Sequence, residues 1–258
     1  MFNRPVIGRV GLAAVAALSL AAAPIAASAS VFGSNLIVNG DAEAAPGATN
    51  DSAIVATPGF TTVGNFTTVS YSAGAGFPVA ASPGGSVGGA NFFAGGPSNG
   101  SSSASQLIDI SSGAGLIDLG TSTFSLSAYL GGFASQNDNA VLSIAFLDSL
   151  NAVLGSSSIG PVSSADRGAV TGLFFRSASG AVPIGARSVS VFLQMTRQAG
   201  SYNDGYADNL SLVLRPGEAP APGGVPEPAT WALMLIGLGA VGAAVRRRRG
   251  AAPLTVRA

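Results

Sequence analysis

The stretch TFSLSAYL, residues 123–130, decides the fold class. Phe124, Leu126, Ala128 and Leu130 fall at every second position, and small polar residues hold positions between them. Successive side chains of an extended chain point to opposite faces, so this segment has one apolar face and one polar face. A helix would need apolar residues three and four apart. The same alternation recurs in AVLSIAFLD, residues 140–148, where Leu142, Ile144 and Phe146 oppose Val141, Ser143 and Ala145. Val189, Val191, Leu193 and Met195 alternate with Ser190, Phe192 and Gln194, and Leu210, Leu212 and Leu214 close the series.

Working outward, further strands are expected at Leu36–Val38, Phe66–Tyr71, Ala104–Ile110, Ala152–Ser157 and Val170–Arg176. The Gly/Ser-rich run from Ser82 to Ser103 reads as a long loop carrying one short strand at Asn91–Ala94, with Phe92 and Phe93 in the core. About ten short strands separated by turn residues predict an all-β, jelly-roll-like antiparallel β-sandwich over residues 30–215. No period of 20–50 residues repeats, which argues against a solenoid or propeller.

Composition agrees. Of 258 residues 36 are Gly and 9% are charged, yet 47% are hydrophobic, enough for a core of one domain. The chain has no Cys, no His and no Lys, since its 12 basic residues are all Arg. Disulfides are therefore impossible, and His- or Cys-based metal sites, His-dependent triads and Lys-based covalent catalysis are unavailable. From Asp41 to Glu227 five arginines face twelve acids, a net charge of −7. That balance argues against nucleic acid as a partner and suits cations or a solvated extracellular surface.

Both ends carry targeting signals. Arg4 and Arg9, the apolar run Val10–Ala23, Pro24 and the small residues Ala27-Ser28-Ala29 form a secretory signal peptide over residues 1–29, cut after Ala29. Residues 216–225 are a Pro/Gly linker. Then come Pro226-Glu227-Pro228, Trp231 at an interfacial position, the apolar run Leu233–Val245 and the cluster Arg246, Arg247, Arg248 and Arg249, followed by a tail at 250–258. An apolar segment with an aromatic before it and a basic cluster behind it reads as a short transmembrane helix with its far end in the cytoplasm.

This arrangement resembles the PEP-CTERM sorting signal of Gram-negative bacteria, here over 226–249. The resemblance implies cleavage near Pro226-Glu227-Pro228 by an exosortase-type enzyme. It further implies a transient inner-membrane anchor, then release to the cell surface or extracellular matrix, often beside exopolysaccharide production and biofilm. An ordinary single-span anchor is the plain alternative.

Two more segments carry a resemblance. NLIVNGDAE (Asn35–Glu43) and YADNLSLVL (Tyr206–Leu214) are similar to the first and last strands of galactose-binding-like jelly rolls. In that family a structural calcium often ties the first turn to the last strand, which would make Glu43 and Asp208 its carboxylate ligands, with Asp41 a weaker addition. Solvated turn acids are the alternative. Calcium takes six to eight hard oxygens, so carbonyls would complete the shell.

Catalysis finds little support. Asp138, Asp148, Asp166, Asp204 and Asp208 sit beside Asn, Gly or Ser, where an Asp normally bonds its own backbone. Tyr202 and Tyr206, flanking Asp204, form a weak sugar-contacting patch. The expectation is a non-enzymatic surface or matrix protein, structural or adhesive within exopolysaccharide. A carbohydrate-binding module is the alternative, and a glycoside-active enzyme ranks third.

Overall fold

Alternation in the sequence becomes alternation in burial. In the computed structural model, which describes residues 30–85 and 89–217, Leu126, Ala128 and Leu130 are fully buried and Phe124 nearly so, while Ser125, Ser127 and Tyr129 face partly outward. Among the described residues ten strands form: β1 (Thr61–Val63), β2 (Thr67–Ser70), β3 (Asn91–Pro97), β4 (Ser101–Asp109), β5 (Thr123–Gly132), β6 (Asn139–Leu147), β7 (Val153–Ile159), β8 (Gly172–Ala181), β9 (Ser188–Thr196) and β10 (Tyr202–Arg215). The one α-helix among the described residues, α1 (Ala114–Ile117), is a single turn.

The strands make two five-stranded antiparallel sheets, ordered β1-β4-β9-β6-β7 and β2-β3-β10-β5-β8. Pairing is nested: β3 with β10, β4 with β9, β5 with β8 and β6 with β7. One long hairpin whose successive pairs alternate between two sheets is a jelly roll, and β1 and β2 extend one edge of each sheet. Between the sheets, the inward sets of β5, β6, β9 and β10 form the main core, including Leu126, Leu142, Phe146, Leu193 and Leu212.

A second, aromatic core lies on the outer face of the β2-β3-β10-β5-β8 sheet. There Tyr71, Phe77, Phe92, Leu173 and Tyr206 pack together with Ala48 and Val69. Phe92 touches Tyr71, Phe77 and Tyr206 at ring separations of 4.9, 6.0 and 5.3 Å. Phe92 and Phe93 are both fully buried, on opposite sides of the sheet, one in each core.

Three expectations need correction. Leu36–Val38 is not a strand: the Asn35 amide caps the end of this segment, accepting from the Ile37 and Leu212 N–H groups and donating to the Leu210 carbonyl, so only isolated bridges join it to β10. The Ser82–Ser103 run is less loop than expected, because β3 extends to Pro97 and β4 begins at Ser101. The last strand starts at Tyr202, so YNDG is strand and not turn. The pairing of β10 with β5 shifts register between Asp208 and Ser211, just beyond Ala207, the last β10 residue paired with β3.

Candidate functional site

The second core covers only part of the outer face of its sheet. Along the rest, β5 and β10 present Ser127, Tyr129, Asn209 and Ser211 to a cleft of about 590 Å³, with Phe175 of β8 on one side and the 35–41 segment on the other. The sequence builds this wall through Gly40. A Cβ at that position would lie 2.1 Å from the Leu210 carbonyl oxygen, so only Gly lets the segment approach β10 closely enough for the Leu210 N–H to donate to the Gly40 carbonyl at 2.8 Å. Asn39, at φ 54, has its side chain fixed by Pro58 and Ala44. Asp41 follows at the mouth.

Tyr129 and Phe175 are directly paired across β5 and β8, and their rings meet edge-on at 5.5 Å and 62°. Phe175 is 53% exposed, an unusual state for a Phe on a sheet centred on two apolar cores. The Asn209 side-chain amide nitrogen, on β10 in the floor, is buried and makes no hydrogen bond within the protein. The cleft thus combines an aromatic shelf with amide, hydroxyl and carboxylate groups and an unspent donor. Those groups suit a neutral polyhydroxylated ligand; no nucleophile with a partnered base is among them.

Tyr129 and Phe175 were legible in principle. In TFSLSAYL the tyrosine shares parity with the serines, and in LFFR only one Phe can face the core. An aromatic on the polar parity of a strand is the signal.

The tyrosines singled out from sequence lie elsewhere. Tyr206 is fully buried, stacked in the second core with its hydroxyl donating to Asp204 at 2.5 Å, so it cannot touch a sugar. Tyr202 borders two openings, a hollow of about 110 Å³ with Asp51, Phe77, Phe133 and Asp204, and a cleft of about 400 Å³ with Asp51, Asn65, Pro97 and Ser201. The smaller suits a few waters, whereas the larger has the volume of a small-ligand site, and Tyr202 stands on its edge. Burial raises the Tyr202 and Tyr206 hydroxyls well above the ordinary tyrosine range.

Beneath them runs a buried polar cluster. Asp138 accepts from the backbone N–H groups of Gln198, Ala199 and Asp204 at 2.6–2.9 Å. Arg167, 2% exposed, donates to the carbonyls of Ala134, Gln136 and Val170. Burial, reinforced by Asp138, raises the Asp204 carboxyl to about 6. Asp148 and Asp166 accept from nearby backbone N–H groups, as turn acids do.

Glu43 clamps the start of β3: one carboxylate oxygen accepts from the Ala90 and Asn91 N–H groups at 2.8 Å and the other from the Asn91 amide at 3.1 Å. Asp208 accepts from the Tyr71 hydroxyl and the Asn209 N–H, both at 2.7 Å. Burial raises its carboxyl to about 7, and the charges of Glu43 and Asp41 push in the same direction. The chemistry of this donor set fits calcium, but the number of carboxylates is small. Among the described residues no three His, Cys, Asp or Glu gather in metal-binding geometry, so backbone oxygens would have to complete a shell.

The signal peptide and Pro226, Glu227, Pro228, Trp231 and Arg246–Arg249 lie outside the described residues. Among the described residues no helix is long and apolar enough to cross a membrane.

Among solved structures, the chain is similar to a family 16 carbohydrate-binding module-2, with 21% identity over 69% of this chain and 99% of that one and a TM-score of 0.40. It is similar to a cyclase from Fischerella sp. TAU, with 14% identity over 72% of this chain and 98% of that one and a TM-score of 0.45. Against the enzymatically active domain of bacteriophage CBA120 tailspike protein 4 the identity is 17% and the TM-score 0.42; 70% of this chain matches, but only 21% of that one. No curated protein sequence matches the chain. Residues 224–249 match the PEP-CTERM protein-sorting motif, and the chain therefore joins a β-sandwich body to a PEP-CTERM sorting tail.

Proposed function

We propose that the protein is exported, processed near Pro226-Glu227-Pro228 by an exosortase-type enzyme, and acts at the cell surface or in the extracellular matrix by holding a polysaccharide in the Tyr129–Phe175 cleft. The sorting motif at 224–249 supports export and processing. The observation that carries glycan binding is the paired aromatic shelf on an open sheet face, edged by Asn35, Asn39, Asp41 and Asn209. Sugar rings offer C–H faces to aromatics and hydroxyls to amides and carboxylates, which matches the two halves of this lining.

The role is binding without chemistry. Most acids of the body are engaged with backbone N–H groups, tyrosines, the Asn91 amide or Arg187, and Asp204, which has a raised carboxyl at the small hollow, accepts from the Tyr206 hydroxyl. Retention of the mature protein on a panel of insoluble polysaccharides, including the producer's own, tests the reading. Binding to at least one, with no new reducing ends released, is the expected result. Released reducing ends would replace binding with hydrolysis, and failure to bind any would remove the glycan.

A calcium ion held by Glu43 and Asp208 belongs to the same proposal as a structural tie. Its support is the crowding of negative charge at Asp208, where Glu43 and Asp41 both add to the cost of ionisation. A bound cation would offset that cost and fix the 35–43 wall of the cleft against β10.

A further inference from the structure

At the start of β10 a second opening forms, where the 44–57 segment and the turn after Tyr71 meet that strand. Its inner part is the hollow of about 110 Å³ lined by Asp51, Phe77, Phe133, Tyr202 and Asp204. Local sequence builds these walls. Gly76, at φ 85, lets the turn lie against Phe133, since a Cβ there would stand 2.9 Å from that ring. The Asn50 side chain accepts from the Ser52 and Ala53 N–H groups, a turn that sets Asp51 at the rim. Phe77 and Tyr202 meet edge-on at 5.1 Å and 73°.

Several polar groups here are unspent. The Tyr202 hydroxyl is buried and makes no hydrogen bond within the protein. After burial, the charges of Asp204 and Asp51 help to hold its proton on. One Asp204 oxygen accepts from the Tyr206 hydroxyl, and the other accepts nothing among the described residues. Neither acid is ion-paired: the two ion pairs among the described residues join Asp166 to Arg176 and Asp118 to Arg187. Arg167 and Arg197 stand nearby but donate to backbone carbonyls, and neither lines the opening. A carboxyl stripped of water beside aromatic rings favours a cation, which pairs with the acid and rests against the rings.

Asp51 and Tyr202 also line the adjoining cleft of about 400 Å³, so the two openings share a wall. This outer part is polar. The Asn65 amide donates to the Pro97 carbonyl, which leaves the Asn65 oxygen and the Ser98 and Ser201 hydroxyls for a ligand. We infer that this compound opening is a second binding site, for a sugar that carries a protonated amine. The ammonium group enters the hollow beside Asp51 and Asp204, and the ring hydroxyls meet the outer cleft. An ammonium group fills about the space of a water, which the hollow accommodates. The net charge of −7 between Asp41 and Glu227 favours such a cation over an anionic glycan. None of these residues lines the Tyr129–Phe175 cleft, and the inference does not depend on it.

The test is calorimetric titration of the full chain with a glucosamine tetramer, at a pH that keeps its amines protonated. Saturable binding is expected, about tenfold tighter than for the N-acetylated tetramer, whose amides carry no charge. Asp51→Asn removes one charge at an exposed position and should weaken binding about tenfold. Asp109→Asn removes the same charge at the far end of β4 and should leave binding as it was. Added salt should weaken binding, because Asp51 is exposed. No binding of the tetramer, or equal binding of its N-acetylated form, would overturn the inference. Equal losses in the two variants would overturn it as well, since they would mean attraction to the acidic body as a whole. An aliphatic diamine that binds as tightly as the tetramer would remove the sugar and the inference with it. Retention on a neutral polysaccharide is a separate readout, so the Tyr129–Phe175 cleft and this site can each fail alone.

Discussion

Tyr129 and Phe175 are two side chains that strand parity placed on the wrong side for packing and the right side for a ligand. Removing either ring should weaken polysaccharide binding roughly tenfold, the scale of a well-used aromatic contact. Phe175→Ala, at an exposed ring, should change thermal stability little, whereas Tyr129→Ala, which also removes packing on the second core, should lower it by about 1–2 kcal/mol. Deep in the body the acids set a pH dependence. Asp204 and Asp208 have folded-state pKa values of about 6 and about 7, both above the ordinary 3.8. A raised acid pKa means that the fold binds the proton more tightly than the unfolded chain does. The resulting stability is complete below about pH 4 and lost as pH rises through 6 and 7. Calorimetry should show the melting temperature falling from pH 5 to pH 8, by on the order of a few kcal/mol of stability. A flat profile would mean that water reaches both carboxyls. Calcium at Asp208 would hold it ionised, so saturating calcium should raise the melting temperature at pH 8 and flatten the profile. Chelator should reverse both effects, and Asp208→Asn should abolish the response; melting indifferent to chelator leaves Glu43 and Asp208 as ordinary hydrogen-bonded acids. None of these pKa values was legible in sequence, because desolvation depends on what covers a side chain. YNDGYADN looks like a string of turn acids, but the main core with Asp138 and Arg167 on one side, and Phe77 with the second core on the other, bury it.

At the level of elements, period two was a sufficient guide wherever one face met the main core. β5, β6 and β9 follow their apolar residues one for one. Guidance failed where a side chain took over the role of backbone pairing, as Asn35 does at the first segment. It failed again where both faces were covered, as on β3, whose NFFAGG is buried on either side and shows no alternation. Glycine marks such places. A Cβ at Gly131 of β5 would stand 1.8 Å from the Gly172 carbonyl oxygen of β8. Gly131→Ala should therefore force these strands apart and cost about 3 kcal/mol or more, as overpacking at rigid backbone does. Denaturant unfolding would read the loss, and a midpoint unchanged from the parent would contradict this strand spacing. The same disturbance sits two residues from Tyr129, so binding should suffer alongside stability.

Across the whole molecule the sequence was clearest at its C-terminal motif and least informative at its cleft. A sorting tail is a local pattern of Pro-Glu-Pro, apolar run and Arg cluster that needs no fold to be read. A cleft is built from segments as far apart as Asn35, Tyr129, Phe175 and Asn209, and only the nested pairing of the jelly roll brings them together. Mass spectrometry of surface protein should find chains beginning near Ser30 and ending near Pro226–Pro228; mature chains that keep Arg246–Arg249 in a host able to process them would contradict sorting. The most direct test of the central claim joins cleft and ligand. The mature body, wild type and Tyr129→Ala/Phe175→Ala, is titrated calorimetrically with the polysaccharide that retains it best. The expected result is saturable heat for the wild type and none for the double variant, which still unfolds in one cooperative transition above the assay temperature. Equal binding by both proteins would contradict the assignment of the glycan to this cleft.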